Sequence, residues 1–249
     1  MNIPVTIYDE ALRKSSDRVF IFSEARSGSN WLVETLNSSG DLGLLKEIMQ
    51  PGQQKEFKAN HPEYFEKNSA DVLYMEKQLS YLDKPKRGCK ILFPQAVRFM
   101  DLYEFLFSYR DARFIFLRRQ NVVKGEVSGL IAGQFALWHS FEQPPKHMIE
   151  IDPEFLYKRV LWRDYTTTYC MKLIRAYCGN CFEMTYEELF TDTSRAINSL
   201  CGFLAIHPEN LILGREVKSN PHSLTEMISN YDEVKTFFDD KPPFHQMFT

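Results

Sequence analysis

The chain has 249 residues, is 44% apolar and carries a formal charge of −3. That length suits one large α/β domain or two small ones, with an aromatic-rich core drawn from 20 Phe and 12 Tyr. The acidic balance excludes a general nucleic-acid binder, whose surface is ordinarily basic, so any anion site must rest on a local arginine cluster.

Residues 1–17 are polar and read as a short arm. Residues 19–23 are β-branched and aromatic and end in turn residues, which predicts a buried strand. The loop Glu24-Ala25-Arg26-Ser27-Gly28-Ser29-Asn30 follows. Residues 29–37 then read as a helix, with Trp31, Leu32, Thr35 and Leu36 on one face and Gly40 as its stop. Residues 41–86 mix short helical and loop patterns, broken by Pro51, Gly52 and Pro62. Residues 89–93 predict a second strand, 100–109 a helix and 113–117 a third strand. That strand leads through Arg118-Arg119-Gln120-Asn121 into a helix running to about Trp138.

A loop opens at Gln143-Pro144-Pro145, and residues 155–177 form a long helical pattern. The stretch CFEMTYEEL reads as a fourth strand entering a helix, with Thr185-x-x-Glu188 as a capping box. A last helix is predicted from the capping box Ser223-x-x-Glu226, with Leu224, Met227, Ile228, Tyr231, Val234 and Phe238 as its apolar stripe. Short strands alternating with helices predict an α/β fold, a parallel sheet covered on both faces, in a single domain spanning 1–249.

Five scattered cysteines, with Cys178-x-x-Cys181 as the one close pair, read as structural; redox or zinc chemistry is the alternative. Reduced cysteines fit a cytoplasmic protein. The N-terminus has no charged-then-apolar signal pattern, and no apolar run approaches the ~20 residues that span a bilayer. The six histidines show no metal spacing. Gly125, Gly129 and Gly133 fall four apart on one helix face, a pattern for close approach to a cofactor or a neighbouring helix.

The loop after the first strand is built for an anion. A Ser- and Gly-rich strand-to-helix turn aims several backbone N–H groups at one spot, and the helix N-terminus adds about half a positive charge. Arg26 contributes a planar cation suited to phosphate or sulfate oxygens. The alternative is a capped helix behind a serine turn. A Walker A motif is excluded, because the segment has one Gly and lacks the Lys-Ser/Thr pair that handles β/γ-phosphates and Mg²⁺. Arg119 ends the third strand and Ser128 lies nine residues on. C-terminal strand ends of a parallel sheet share one crevice, so these two can reach a second phosphate beside the first.

Together the two clusters carry a resemblance to sulfotransferases that use 3′-phosphoadenosine 5′-phosphosulfate (PAPS) and release PAP. RSGSNWLVETL resembles the R-S-G-S-T-L-L-x-E-x-L loop of the bacterial carbohydrate sulfotransferases of the trehalose and lipooligosaccharide type. RRQNVVKGEVSGLIAGQFALWH resembles that family's 3′-phosphate segment, GCKILFPQ its G-x-K strand, and MTYEELFTDTSRAINSLCGFLAI its Y-E-x-L stretch. The resemblance implies a P-loop-like sulfotransferase fold and a metal-free site. Arg26, Ser27, Gly28, Ser29 and Asn30 would hold the 5′-phosphosulfate, Arg119 and Ser128 the 3′-phosphate, and Lys218 would approach from a late loop. It also implies a carbohydrate or glycolipid-like acceptor, a homodimer, and a carboxylate base. Ungapped counting from ETL places Glu47 in that role, and a solvated charge is the alternative reading of the same residue.

Some positions depart from the pattern. Asn30 replaces a hydroxyl residue. Glu24 sets a carboxylate two residues before Arg26, either paired with an arginine or a second candidate base. Gly129-Leu130 stands where the family often carries an aromatic residue and an Arg in the acceptor-side helix, and Leu44 where the trehalose enzyme has a further Glu, which puts trehalose itself in doubt. His139 and His147 flank the Pro-rich loop and are further acceptor-side candidates. Two rivals stay open: a P-loop-like phosphotransferase using ATP, and a non-catalytic nucleotide-binding relative.

Overall fold

The computed structural model describes residues 15–49, 59, 70–138, 145–215 and 221–248. Five parallel strands form one sheet in the order β2-β3-β1-β4-β5. They are β1 Arg18–Ser23, β2 Leu42–Leu45, β3 Lys86–Leu92, β4 Arg113–Arg118 and β5 Cys181–Thr185. Around them lie α1 Ser29–Asn37, α2 Ala70–Leu79, α3 Phe93–Phe99, α4 Leu102–Ser108, α5 Val122–Phe135, α6 Pro153–Tyr177, α7 Tyr186–Thr191, α8 Thr193–Leu204, α9 Leu224–Met227 and α10 Tyr231–Phe238.

All six residues of the central strand β1 are buried, because both faces of the sheet are covered. Phe20 and Phe22 point to one face, where Phe105 and Tyr109 of the α4 region meet Phe20 edge-on at 4.9 and 4.7 Å. Helices α2, α3 and α6 complete that layer. Val19 and Ile21 point to the other face, against Leu32 and Leu36 of α1 and Leu200 and Leu204 of α8. A third cluster joins Val123 and Val127 of α5, Leu156 and Val160 of α6, Met227, and Phe238 of α10.

Leaving β1, the chain crosses β3 to build β2 at one edge; leaving β3, it passes over β1 to build β4 on the other side. The strand order therefore reverses at β1, and its C-terminal loop opens where ligands bind in such sheets.

Three expectations change. Residues 41–86 contain a strand, β2, which is only four residues long and includes Gly43. The Asn37 side chain pins it by donating to Leu44 O at 2.8 Å and accepting from Leu44 N at 2.6 Å. The helix expected over 100–109 is preceded by a second one, α3. The last helix breaks at Ile228, where the backbone turns extended (φ −115°, ψ 119°) and bridges in parallel to Ile149. Its apolar stripe survives because α9, the bridge and α10 bury the same side. Residues 1–14 of the expected arm lie outside the described residues.

Candidate active site

The anion loop sits between β1 and α1. Glu24 N donates to Leu117 O at 3.1 Å, which carries the β1–β4 pairing one step past the strand. Arg26 and Gly28 both adopt left-handed backbone conformations, at φ 62° and 76°. Ser27 is buried and closes the turn by donating from Oγ to Glu24 O at 2.7 Å. Gly28 is the N-cap of α1 and offers no side chain to its first-turn amides, which leaves those donors for an anion. A Cβ on Gly28 would lie 2.8 Å from the Phe190 ring, so the close approach of α7 also demands glycine.

The structure brings the two arginine clusters together. Arg119 is buried at the end of β4 and donates from Nη1 to Arg26 O at 3.3 Å. Its guanidinium lies 4.4 Å from the Tyr186 ring centre. Its Nε is buried without a hydrogen-bond partner, and the nearest carboxylate oxygen, on Glu187, is 3.9 Å away. Burial pushes Arg119 below the usual guanidinium range, and neighbouring Arg163 adds to that effect. A buried cation short of counter-charge favours an anionic ligand. Arg26 lies against Gly129 of α5, 4.0 Å from where a Cβ would stand, and donates from Nη1 to Trp138 O at 2.8 Å. Ser128 is buried on α5 immediately before that glycine. A cavity of about 460 Å³ opens between α5 and the start of α6, lined by Gly129, Leu130, Trp138, Glu150, Phe155 and Arg159 among others.

Glu47 stands on the other side of the loop, half-buried after β2. Its Oε1 accepts from Lys90 Nζ at 2.7 Å and its Oε2 from Gln95 Nε2 at 2.9 Å. Lys90, buried on β3, also donates to Asn30 Oδ1 at 2.5 Å. The carboxylate is thus tied to the loop through one ammonium and is not a free solvated charge. Glu24 takes the first of its two readings. Its Oε2 accepts from Arg163 Nη2 and from Arg119 N, both at 2.9 Å, and its Oε1 from Thr167 Oγ1 at 3.1 Å.

Lys218 and His139 lie outside the described residues. His147 stacks on Phe135 with ring centres 3.9 Å apart. Burial pushes the Cys178 thiol up to about 12 and raises Cys181, which favours the protonated forms. Among the described residues no cluster of His, Cys, Asp or Glu suits a metal ion, and no helix is long and apolar enough to cross a membrane.

Sequence reasoning assigned no role to Lys90, Gln95 or Arg163. Lys90 carried a signal, a charged residue inside an otherwise buried strand, which ordinarily demands a partner. Arg163 carried none, because it sits within a long helical pattern.

Residues 16–232 match the sulfotransferase domain family, so the chain belongs to it. In structure it is similar to a sulfotransferase from Alicyclobacillus acidocaldarius, with a TM-score of 0.52 and 14% identity over 92% of this chain and 93% of that one. Lower similarity extends to the sulfotransferase domain of the Synechococcus PCC 7002 olefin synthase (TM-score 0.46, 16% identity, 76% and 72% covered). Mouse sulfotransferase SULT7A1 complexed with PAP gives a TM-score of 0.45 and 15% identity, over 80% and 63%. No curated protein matches the chain. Family membership supports sulfuryl transfer as the general chemistry.

Proposed function

We propose that this chain moves a sulfuryl group from PAPS to a hydroxyl of a carbohydrate or glycolipid-like acceptor. The observation that carries the reading is the contact between Arg119 and the Arg26 carbonyl, which puts a buried, under-compensated cation beside the anion loop. The donor set fits a molecule with two separated anionic groups and needs no metal.

In this reading Arg26, Ser27, Gly28, Ser29 and Asn30 hold the 5′-phosphosulfate, Arg119 and Ser128 hold the 3′-phosphate, and Lys218 closes from the late loop. When bound, PAPS supplies the sulfuryl group and a phosphate that leaves with its bonding electrons. The chain contributes position and charge, the main sources of catalysis in such loose transfers. The loop amides and Arg26 face the charge that builds on the leaving side. Glu47 takes the acceptor's hydroxyl proton onto its carboxylate, within reach of the loop because Lys90 and Gln95 grip both of its oxygens. Lys90 then has lost its anionic partner, and its positive charge remains directed at Asn30 and the loop.

The carbohydrate acceptor is supported by the resemblance of the anion loop to that of the carbohydrate sulfotransferases. Five free cysteines support action in the cytoplasm. The test incubates the protein with ³⁵S-labelled PAPS and trehalose, glucose, a glycolipid extract and a simple phenol. Label on a sugar hydroxyl is the expected result. Label confined to the phenol overturns the acceptor class, and transfer of a γ-phosphate from Mg·ATP instead overturns the reaction.

A further inference from the structure

The loop bearing Arg26 is gripped from behind by a helix 139 residues away in sequence. Arg163 of α6 donates from Nη2 to Ala25 O at 2.7 Å and to Glu24 Oε2 at 2.9 Å. Its Nη1 donates to Glu126 Oε1 at 3.0 Å, and Glu126 Oε2 accepts from Arg159 Nε at 2.8 Å. The Arg163 side chain is 5% exposed. Burial works against its charge, but Glu24 and Glu126 outweigh that and hold it above the usual range. The guanidinium fits because α5 has no side chain where it passes. A Cβ on Gly125 would lie 2.8 Å from Cζ and Nη2.

Two guanidiniums therefore pin the carbonyls on either side of Arg26: Arg163 holds Ala25 O and Arg119 holds Arg26 O. Both arginines also meet at Glu24 Oε2, one through its side chain and one through its backbone N–H. A non-glycine residue persists in the left-handed region when its surroundings over-determine it, and here both flanking peptides are fixed.

We propose that Arg163, seated in the gap at Gly125, is a positioning residue for nucleotide binding, which sets from α6 the loop conformation that meets the anion. The inference rests on the PAPS reading. It assigns the first glycine of the α5 series to a clearance for Arg163.

The test titrates PAP calorimetrically into the full chain as wild type, Arg163→Lys, Gly125→Ala and the double variant, with each melting temperature measured without ligand. Arg163→Lys keeps a charge but cannot span three acceptors. Gly125→Ala changes no charge and displaces the guanidinium. Each single variant is expected to weaken PAP at least tenfold at a temperature where it is fully folded. The double variant should be no worse than the weaker single, because both act on one contact. A lower melting temperature with PAP affinity within twofold of wild type makes Arg163 a scaffold residue only and overturns the proposal. If Arg163→Lys does not fold, Gly125→Ala decides alone. Wild-type protein that fails to bind PAP overturns the PAPS reading and this inference with it.

Discussion

Two ionic networks flank the same loop, and they differ in how they meet solvent. On the α6 side, Glu24 and Arg163 have side chains 2% and 5% exposed and every carboxylate oxygen of Glu24 is taken. On the β3 side, Lys90 is as deeply buried, but its partner Glu47 is 23% exposed. A sealed pair can hold a backbone but cannot exchange a proton with an entering hydroxyl. A pair with one exposed member can do both. On the proposed reading, the same charge types serve as a clamp on one side and as chemistry on the other.

The largest expected effect separates the two carboxylates. Glu47→Gln should lower turnover by about 10²–10⁴-fold, the usual range for a lost general base, with PAP affinity near wild type and a lower melting temperature, because the buried Lys90 ammonium loses its counter-charge. Equal loss of PAP affinity would move Glu47 from chemistry to scaffold. Glu24→Gln should act on binding first. It removes half of a buried pair at a cost of about 3 kcal/mol, which lowers the melting temperature by roughly 6–12 °C, and it weakens PAP. Lys90→Met comes next. Because Glu47 reaches water, the stability loss should be nearer about 2 kcal/mol, read by urea unfolding, with turnover falling more than PAP affinity. Arg159→Ala is the smallest. Its side chain is 43% exposed where it meets Glu126, so thermal unfolding should show a change under about 1 kcal/mol. A large effect there would place Arg159 inside the clamp.

The strand-loop-helix unit was legible because it is local: four apolar residues, a Gly/Ser turn and an amphipathic helix adjoin in sequence. The sheet's parallel character was legible from the alternation of elements. β2 was hidden, since LGLL is too short for a periodic signal and owes its register to Asn37 and to pairing with β3. The break at Ile228 was hidden because the apolar spacing continues through it; the cause is Ile149, 79 residues earlier and in no local pattern with it. In the candidate site, Arg26, Arg119 and Glu47 were named from loop chemistry and family resemblance. Their tethers, Lys90 and Arg163, were not, because each contact joins residues at least 43 positions apart. Local patterns name the groups that face a ligand; the groups that hold them come from the fold.

On the proposed reading, one crevice binds a nucleotide through two separated anionic groups and without metal. Calorimetric titration with PAP in the absence of divalent cations, set beside Mg·ATP and repeated with Arg119→Ala, tests it most directly. The expected result is micromolar metal-free PAP binding that the variant loses, with little affinity for Mg·ATP. Binding of Mg·ATP without binding of PAP would contradict it and point to phosphoryl transfer.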